Sequence, residues 1–508
     1  MLLLKAVNSP DTPTTGRGIE LAPMTSHPSA IPASVDLTTA AGKQAARRRR
    51  WFIASIVVIA PLALVIMGGL AAWIWRLASI AAAMHDVQEE VARIQAAGEP
   101  ITTEDTKAYL RVPPGTQDTT PLWQAAIDSF DQRSFRADAK DLPIVDSRDD
   151  LVIEANELAA VEQFLAKYDA TVQATLVAAG APGESRFFVD FEEGFFSPLP
   201  HMDGLSPIAK LMTLRGRTAI SRSDVDRALQ SVEAQFAISN ALSRQLTLVE
   251  HLSRLKIASR AISEATFVMN EVPLTEEQLS RLQADVQSLD LQQSLTKGAL
   301  GDRASGYFAF HHPEQVASME SMNMEGGMMM MDEVPDPPSP NDGRLTKPID
   351  CRLYLDLQRQ VITATSAPFP AALDQLNQVM TRFRSLRKSP NPLEKFDSHV
   401  TVMIFSAYEH AFLDTARHLA MRNVVLCALA SERHRLKHGN VPKNLGELVP
   451  EFLPEIPNDP FDGQPVRMAV SEAELVIYSV GKDRNDDNGQ DPEGKGEPDV
   501  AVRLRIKP

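Results

Sequence analysis

WFIASIVVIAPLALVIMGGLAAWIW, residues 51–75, carries no charged side chain. As an α-helix rising 1.5 Å per residue it reaches about 37 Å, enough to cross a hydrocarbon layer of about 30 Å with some tilt. Trp51, Trp73 and Trp75 stand at its two ends, where indole rings prefer the headgroup level. Pro61 falls mid-segment and is expected to kink the helix without preventing insertion. The competing reading is a buried helix of a soluble domain, and 25 uncharged residues bounded by tryptophans weigh against it. The run is too long and starts too late for a cleaved secretory signal, so it reads as a retained signal anchor.

The flanks set the orientation. Lys43 and Arg47 to Arg50 crowd the N-terminal side; Arg76 and Arg93 follow the run, with Asp86, Glu89 and Glu90 nearby. Cationic residues stay on the cytoplasmic side, so the N-terminus is expected in the cytoplasm and the residues after 76 outside it, as in a bacterial inner-membrane protein with a periplasmic body. Gly68 and Ala72 have the small-xxx-small spacing of helix–helix contacts, a pattern common by chance in Ala/Gly-rich spans.

The rest of the 508 residues provide two or three domains' worth of chain. An aromatic fraction of 6% favours helices packed by Leu, Ala, Val and Met over a β-sandwich, and a net charge of -15 argues against nucleic acid or an anionic membrane surface as the partner of the body. Residues 1–46, rich in Ser, Thr and Pro, bury too little to offset ordering entropy and are expected to be a disordered tail. After the basic flank and anchor at 47–76, residues 77–100 should extend the helix as a stalk that ends at Gly98-Glu99-Pro100. Residues 101–397 read as a helical body. Helical spacing marks Pro121 to Phe130, Glu154 to Ala179, Leu205 to Ser221, Asp224 to Leu246 and Thr275 to Leu291. Val225, Leu229, Val232, Phe236 and Leu242 form the clearest stripe, and antiparallel helical hairpins are the natural outcome. A Met-rich then Pro-rich loop at 319–345 interrupts the body; a helix from Arg352 to Lys388, broken near Pro368 and Pro370, follows.

One long helix is expected over Ser398 to His438, closed by Gly439. Beyond Pro442, repeated prolines force extended chain, and Arg467 to Val470, Glu474 to Val480 and Val500 to Ile506 read as strands. The expected fold class is therefore mainly α: one N-terminal transmembrane helix, a multi-helix body, and a small C-terminal antiparallel sheet on the end of the long helix (398–508).

These last residues carry a resemblance. Asp459-Pro460-Phe461 after a Pro-rich loop, Tyr478-Ser479-Val480-Gly481 ending a strand, and the acidic loop after it resemble the head of a type II secretion major pseudopilin over roughly the last 80 residues. In layout the chain is also similar to uncharacterised bacterial single-pass proteins with this tail, through Gly98-Glu99-Pro100 and the Pro121-Leu-Trp-Gln-Ala125 helix. The first resemblance implies a role near a secretion apparatus. The chain departs from it at the membrane helix: no Gly precedes Trp51 and no acid occurs until Asp86, so pseudopilin processing and assembly are not expected.

Candidate chemistry is sparse. Asp483, Asn485 and Asp487 have the 1-3-5 spacing by which flexible carboxylate loops gather oxygens around Ca²⁺. With Asp491 in the same loop and Asp499 to complete the shell, they are the candidate calcium ligands. Gly489 falls one place late for an EF-hand, and a solvated turn is the plain alternative. The resemblance implies calcium in this loop. Met319, Met322, Met324 and Met328 to Met331, with His311 and His312 upstream, resemble methionine motifs for Cu(I); an adaptable apolar loop is the alternative. His434 and His438 sit at i, i+4 with Glu432 nearby, without a third metal ligand, where cations before Gly439 are expected from the helix dipole. Cys351 and Cys427 allow one bridge at most, and the apolar run around Cys427 favours a buried thiol. No phosphate loop, nucleophile elbow or His-Glu-x-x-His motif appears. The expectation is a membrane-anchored, non-enzymatic envelope or secretion interaction protein; the alternative is a metal-handling protein or enzyme using the Met-rich loop or a cleft between helices.

Overall fold

A computed structural model of the chain describes residues 40–142, 153, 155–324, 345–405, 408–471, 473–490 and 497–506. The chain divides into two units, Met1–Arg76 and Leu77–Pro508. Within the first, the described residues belong to helix α1 (Ala40–Ala96), which includes Pro61. Residues 40–46, expected as tail, are helical, since Gln44, Ala45 and Ala46 are good helix formers. The apolar part of α1 is long enough to cross a membrane and none of its most apolar window is buried.

The second unit begins with the remainder of α1, whose Val87 and Ile94 are buried. Then come α2 (Thr103–Tyr109), α3 (Thr120–Asp128), α4 (Gln132–Asp138), α5 (Leu158–Lys167), α6 (Asp169–Gly180), α7 (Pro200–Ser221), α8 (Val225–Ala241), α9 (Leu248–Glu271), α10 (Glu276–Gln287), α11 (Leu291–His311) and α12 (Pro313–Met324). The chain continues through α13 (Pro348–Thr365), α14 (Ala371–Lys388), α15 (Pro392–Asp397), α16 (His399–Ile404) and α17 (Tyr408–His438). Three strands close it: β1 (Arg467–Val470), β2 (Glu474–Ser479) and β3 (Val500–Arg505), antiparallel in the order β1-β2-β3. The unit is thus mainly helical with a small antiparallel sheet at its C-terminal end.

Local chemistry fixes the helix starts. Thr247 and Thr275 form reciprocal capping boxes with Glu250 and Gln278, and Asp224 and Asp290 accept the third amides of α8 and α11. Inside, α17 is shared by three apolar clusters, the smallest of which sets Ala416 and Ala420 with Phe461 and Val480. Its first turns, with Tyr408 and Phe412, pack with α11, α13 and α14; Val424 to Ala430 pack with α8, α9, α10 and the sheet. The sheet's register sets Leu475 opposite Leu504 and Ile477 opposite Val502, so alternate residues bury one face on the same cluster as α17. A third cluster gathers α3, α5, α6 and α7.

The body holds many buried charges. Glu264 of α9 accepts from Arg217 of α7 at 2.8–3.1 Å, and that guanidinium lies 4.0 Å over the Phe267 ring. Arg303 of α11 donates to Glu99 (2.8 Å) and to the Pro100 carbonyl (3.0 Å). The Gly98-Glu99-Pro100 stop is therefore latched to the body by an ion pair, with Gly98 at a φ of 71°.

Three expectations need correction. The segment expected as loop from residue 319 is helical up to Met324, because Met and Glu extend the helix that Pro313 opens; residues 325–344 lie outside the described residues. Ser398 to His438 is not one helix. α16 ends at Phe405, buried among the rings of Phe383 and Tyr408, and Asp350 of α13 binds the amides of Val400 and Thr401 at its start, which ties it away from α17. Glu154 to Ala179 breaks at Tyr168, whose hydroxyl donates to Asp138 while its ring packs on Phe130, Phe135 and Phe164.

Candidate functional site

The apolar stripe that buries α8 leaves Gln230, Glu233, Ala237 and Asn240 on its other face. On α10, Leu279, Leu282 and Val286 turn to the core, and Arg281, Ala284, Asp285 and Ser288 are left over. Three- and four-residue spacing aligns each set along its helix. Together with residues 178–181, 183–185, 241, 243 and 244 they line a cleft of about 1040 Å³.

Its charges are unevenly matched. On one wall Arg281 stands 3.6 Å from Glu233. Burial, then the Glu233 charge, pushes Asp285 up to about 7 against the opposing pull of Arg281. Burial likewise raises Glu233. The Oδ2 atom of Asp285 is buried without a hydrogen-bond partner among the described residues. On the other wall, burial works against the Glu184 charge, but hydrogen bonds from Arg186 (3.1 Å) and Arg244 (2.6 Å) outweigh it and hold this carboxylate below its ordinary range. The floor is Arg254, fully buried, which donates to the carbonyls of Ser239 (3.1 Å) and Asp290 (2.7 Å) and to Asn240 (3.3 Å). Arg254 is spent on joining α9 to the end of α8 and the start of α11. Two carboxylates facing a single arginine leave the α8–α10 wall able to take a proton or a ligand cation.

No signal in the sequence singled out these residues. Glu233 and Asp285 occupy the polar faces of amphipathic helices, where a solvated surface is the ordinary reading. Only the packing turns those two faces toward one another.

The head organises its acids differently. Asp459 is fully buried; its carboxylate accepts from the amides of Phe461 (2.9 Å) and Val480 (2.8 Å) and from the Ser479 hydroxyl (2.8 Å). The Asp-Pro-Phe turn and the Tyr-Ser-Val-Gly strand end are thus tied by one side chain. Of the candidate calcium ligands, Asp483 accepts from the amide (3.1 Å) and side chain (3.3 Å) of Asn485, which is exposed. Asp499 is buried and accepts through Oδ2 from the amides of Asp487 (3.2 Å) and Gly489 (2.9 Å), and its buried Oδ1 has no hydrogen-bond partner among the described residues. Asp487 is half-buried, and Asp491 lies outside the described residues. Among the described residues no group of three His, Cys, Asp or Glu is disposed to hold a metal.

The remaining candidates take local roles. His434 meets the Asn440 carbonyl through Nδ1 (3.1 Å) and closes the end of α17; Glu432 accepts from Arg435. His311 meets the Tyr307 carbonyl, and His312 stacks on Phe308 and meets Glu314. Met328 to Met331 lie outside the described residues. Cys351 and Cys427 are both free and buried. No protein family, no curated protein and no solved structure matches this chain.

Proposed function

We propose that this chain is a membrane-anchored, extracytoplasmic interaction protein of the bacterial envelope, with residues 51–75 crossing the bilayer once and the body from Leu77 onward exported. The observation that carries it is an apolar helical stretch whose most apolar window is left unburied by the described residues, in contrast to the apolar residues of the second unit, which are buried in ordinary clusters. Large exposed apolar surface of that extent is unfavourable in water and satisfied by lipid. The basic run before it and the acidic residues after it support the orientation. Alkaline carbonate extraction tests the anchor: the full chain stays with the membrane pellet, and release into the supernatant would sink the reading.

The α8–α10 cleft favours a second reading, in which the body binds a small polar molecule, because the orphaned Oδ2 of Asp285 lies in a volume large enough for one. A melting screen against small amines, repeated on Asp285→Asn, checks it; stabilisation that the variant retains would count against this site. Calcium at the head stays within the proposal, supported by the orphaned Oδ1 of Asp499. Melting that rises with calcium in the parent, and no longer does so in Asp499→Asn, is the expected pattern.

A further inference from the structure

The α8–α10 cleft has a polarity of its own. Three contacts set its frame: Gln278 donates to Asp226 (3.2 Å), Arg281 stands 3.6 Å from Glu233, and Asn240 donates to Ser288 (2.8 Å). Residue numbers rise together in these pairs, so α8 and α10 run parallel and end side by side. Along the helices, Glu233 and Asp285 share the single cation Arg281. The buried Oδ2 of Asp285 has no hydrogen-bond partner among the described residues.

Past the helix ends the balance reverses. Glu184 accepts from two guanidiniums, those of Arg186 (3.1 Å) and Arg244 (2.6 Å). Arg244 also reaches Gln293 at 3.4 Å, which engages two of its five donors among the described residues. Arg254 donates to two carbonyls and Asn240, and Lys297 to the Ser243 carbonyl (3.1 Å) and Gln293 (2.9 Å). Burial, then the charges of Arg244 and Arg254, push the Lys297 ammonium down to about 8, with Asp290 opposing and Arg186 adding to the push. Four cations therefore stand with two carboxylates, Glu184 and Asp290, and Asp290 is already committed to capping α11.

One end of the cleft thus holds surplus carboxylate and the other surplus guanidinium. Between them the lining offers room and amide partners: Ala179, Ala181, Ala237 and Ala284 are small, and Gln230 and Ser288 are polar. Asn240, beside the basic end, follows Glu233 by seven residues, about 10 Å of helix. An extended peptide advances about 3.5 Å per residue, so about three residues cover that distance. We infer that the cleft binds a short peptide with both termini free, its ammonium against Glu233 and Asp285 and its carboxylate against Arg244. The inference rests on the reading of this cleft as a ligand site and adds the ligand's class and direction.

The test is titration calorimetry of the full chain in detergent micelles with tri-L-alanine, its N-acetyl form and its C-terminal amide. The expected result is that the free peptide binds, and that blocking either end weakens it by at least about tenfold. Arg244→Gln should abolish the preference for the free acid over the amide and keep the preference for the free amine; Asp285→Asn should do the converse. An amide that binds as tightly as the free acid overturns the peptide and leaves the cleft standing as an amine site. An N-acetyl form that binds as tightly as the free peptide overturns both, as does an absence of binding by all three. End preferences that Arg244→Gln and Asp285→Asn leave unchanged overturn the placement in this cleft. Should either variant not fold, the blocked peptides decide the matter on the parent chain.

Discussion

The helical body and the C-terminal head both bury charge, but in different proportions: the body adds side-chain ion pairs to a carboxylate, Asp350, that collects amides, and the head relies chiefly on such a carboxylate. The body pairs side chain with side chain between elements, Arg217 of α7 with Glu264 of α9 and Arg303 of α11 with Glu99 of the stalk's stop. The head uses one carboxylate, Asp459, to collect amide and hydroxyl donors from two segments. A buried ion pair is expensive to break on one side and cheap to replace whole. A carboxylate that collects donors from two segments cannot be replaced by an amide without leaving a donor unmet.

Breaking the body's pair on one side has the largest expected effect. Glu264→Gln removes the carboxylate that faces the buried Arg217 guanidinium at 2.8–3.1 Å, at a cost of about 3–5 kcal/mol in chemical unfolding. Replacing both partners, Arg217→Met with Glu264→Leu, recovers most of that loss. If the double variant is as unstable as the single one, the attraction between Arg217 and Glu264 is not what offsets their burial. In the head, Asp459→Asn keeps the shape but offers one acceptor oxygen in place of two, and is expected to cost about 1–3 kcal/mol. The loss appears as earlier exchange of the Phe461 and Val480 amides, with α7 and α9 unaffected.

A smaller effect separates the cleft from both. Asp285 binds its proton more tightly folded than unfolded, since burial moves it from 3.8 to about 7. Between those values the folded state holds more protons, so stability from this group falls as pH rises through the window. Asp285→Asn therefore melts higher than the parent at pH 8 and the same at pH 3. Half-buried Asp302 is raised to about 7 by the same cause and adds to the parent's slope. A parent whose melting is flat from pH 4 to 8 contradicts both assignments.

The contrast also explains what could be read without a structure. The apolar run, the stripe of α8 and the alternating strands each bury one continuous apolar face, and periodicity reveals such faces directly. Helices α9 and α11 present no apolar stripe in the sequence because they bury Glu250, His251, Arg254, Lys297 and Arg303. Helix α11 also carries Gly301, where an added Cβ would lie 1.5 Å from the Leu246 carbonyl oxygen. That glycine reads as a helix breaker and is instead a point of close backbone approach. The cleft was illegible for a related reason: Glu233 and Asp285 look solvated until two helices face each other. In the head, the quoted turn and strand end were visible as motifs, yet only packing reveals that Asp459 binds one to the other.

Everything functional proposed for the body depends on the side of the membrane it occupies. The direct measurement is labelling by a membrane-impermeant maleimide on intact spheroplasts carrying Val470→Cys or Ser9→Cys. The account requires reaction at 470 before lysis and at 9 only after it. Reaction at 9 in intact cells, with 470 protected until lysis, would reverse the orientation and remove the body from the compartment assigned to it.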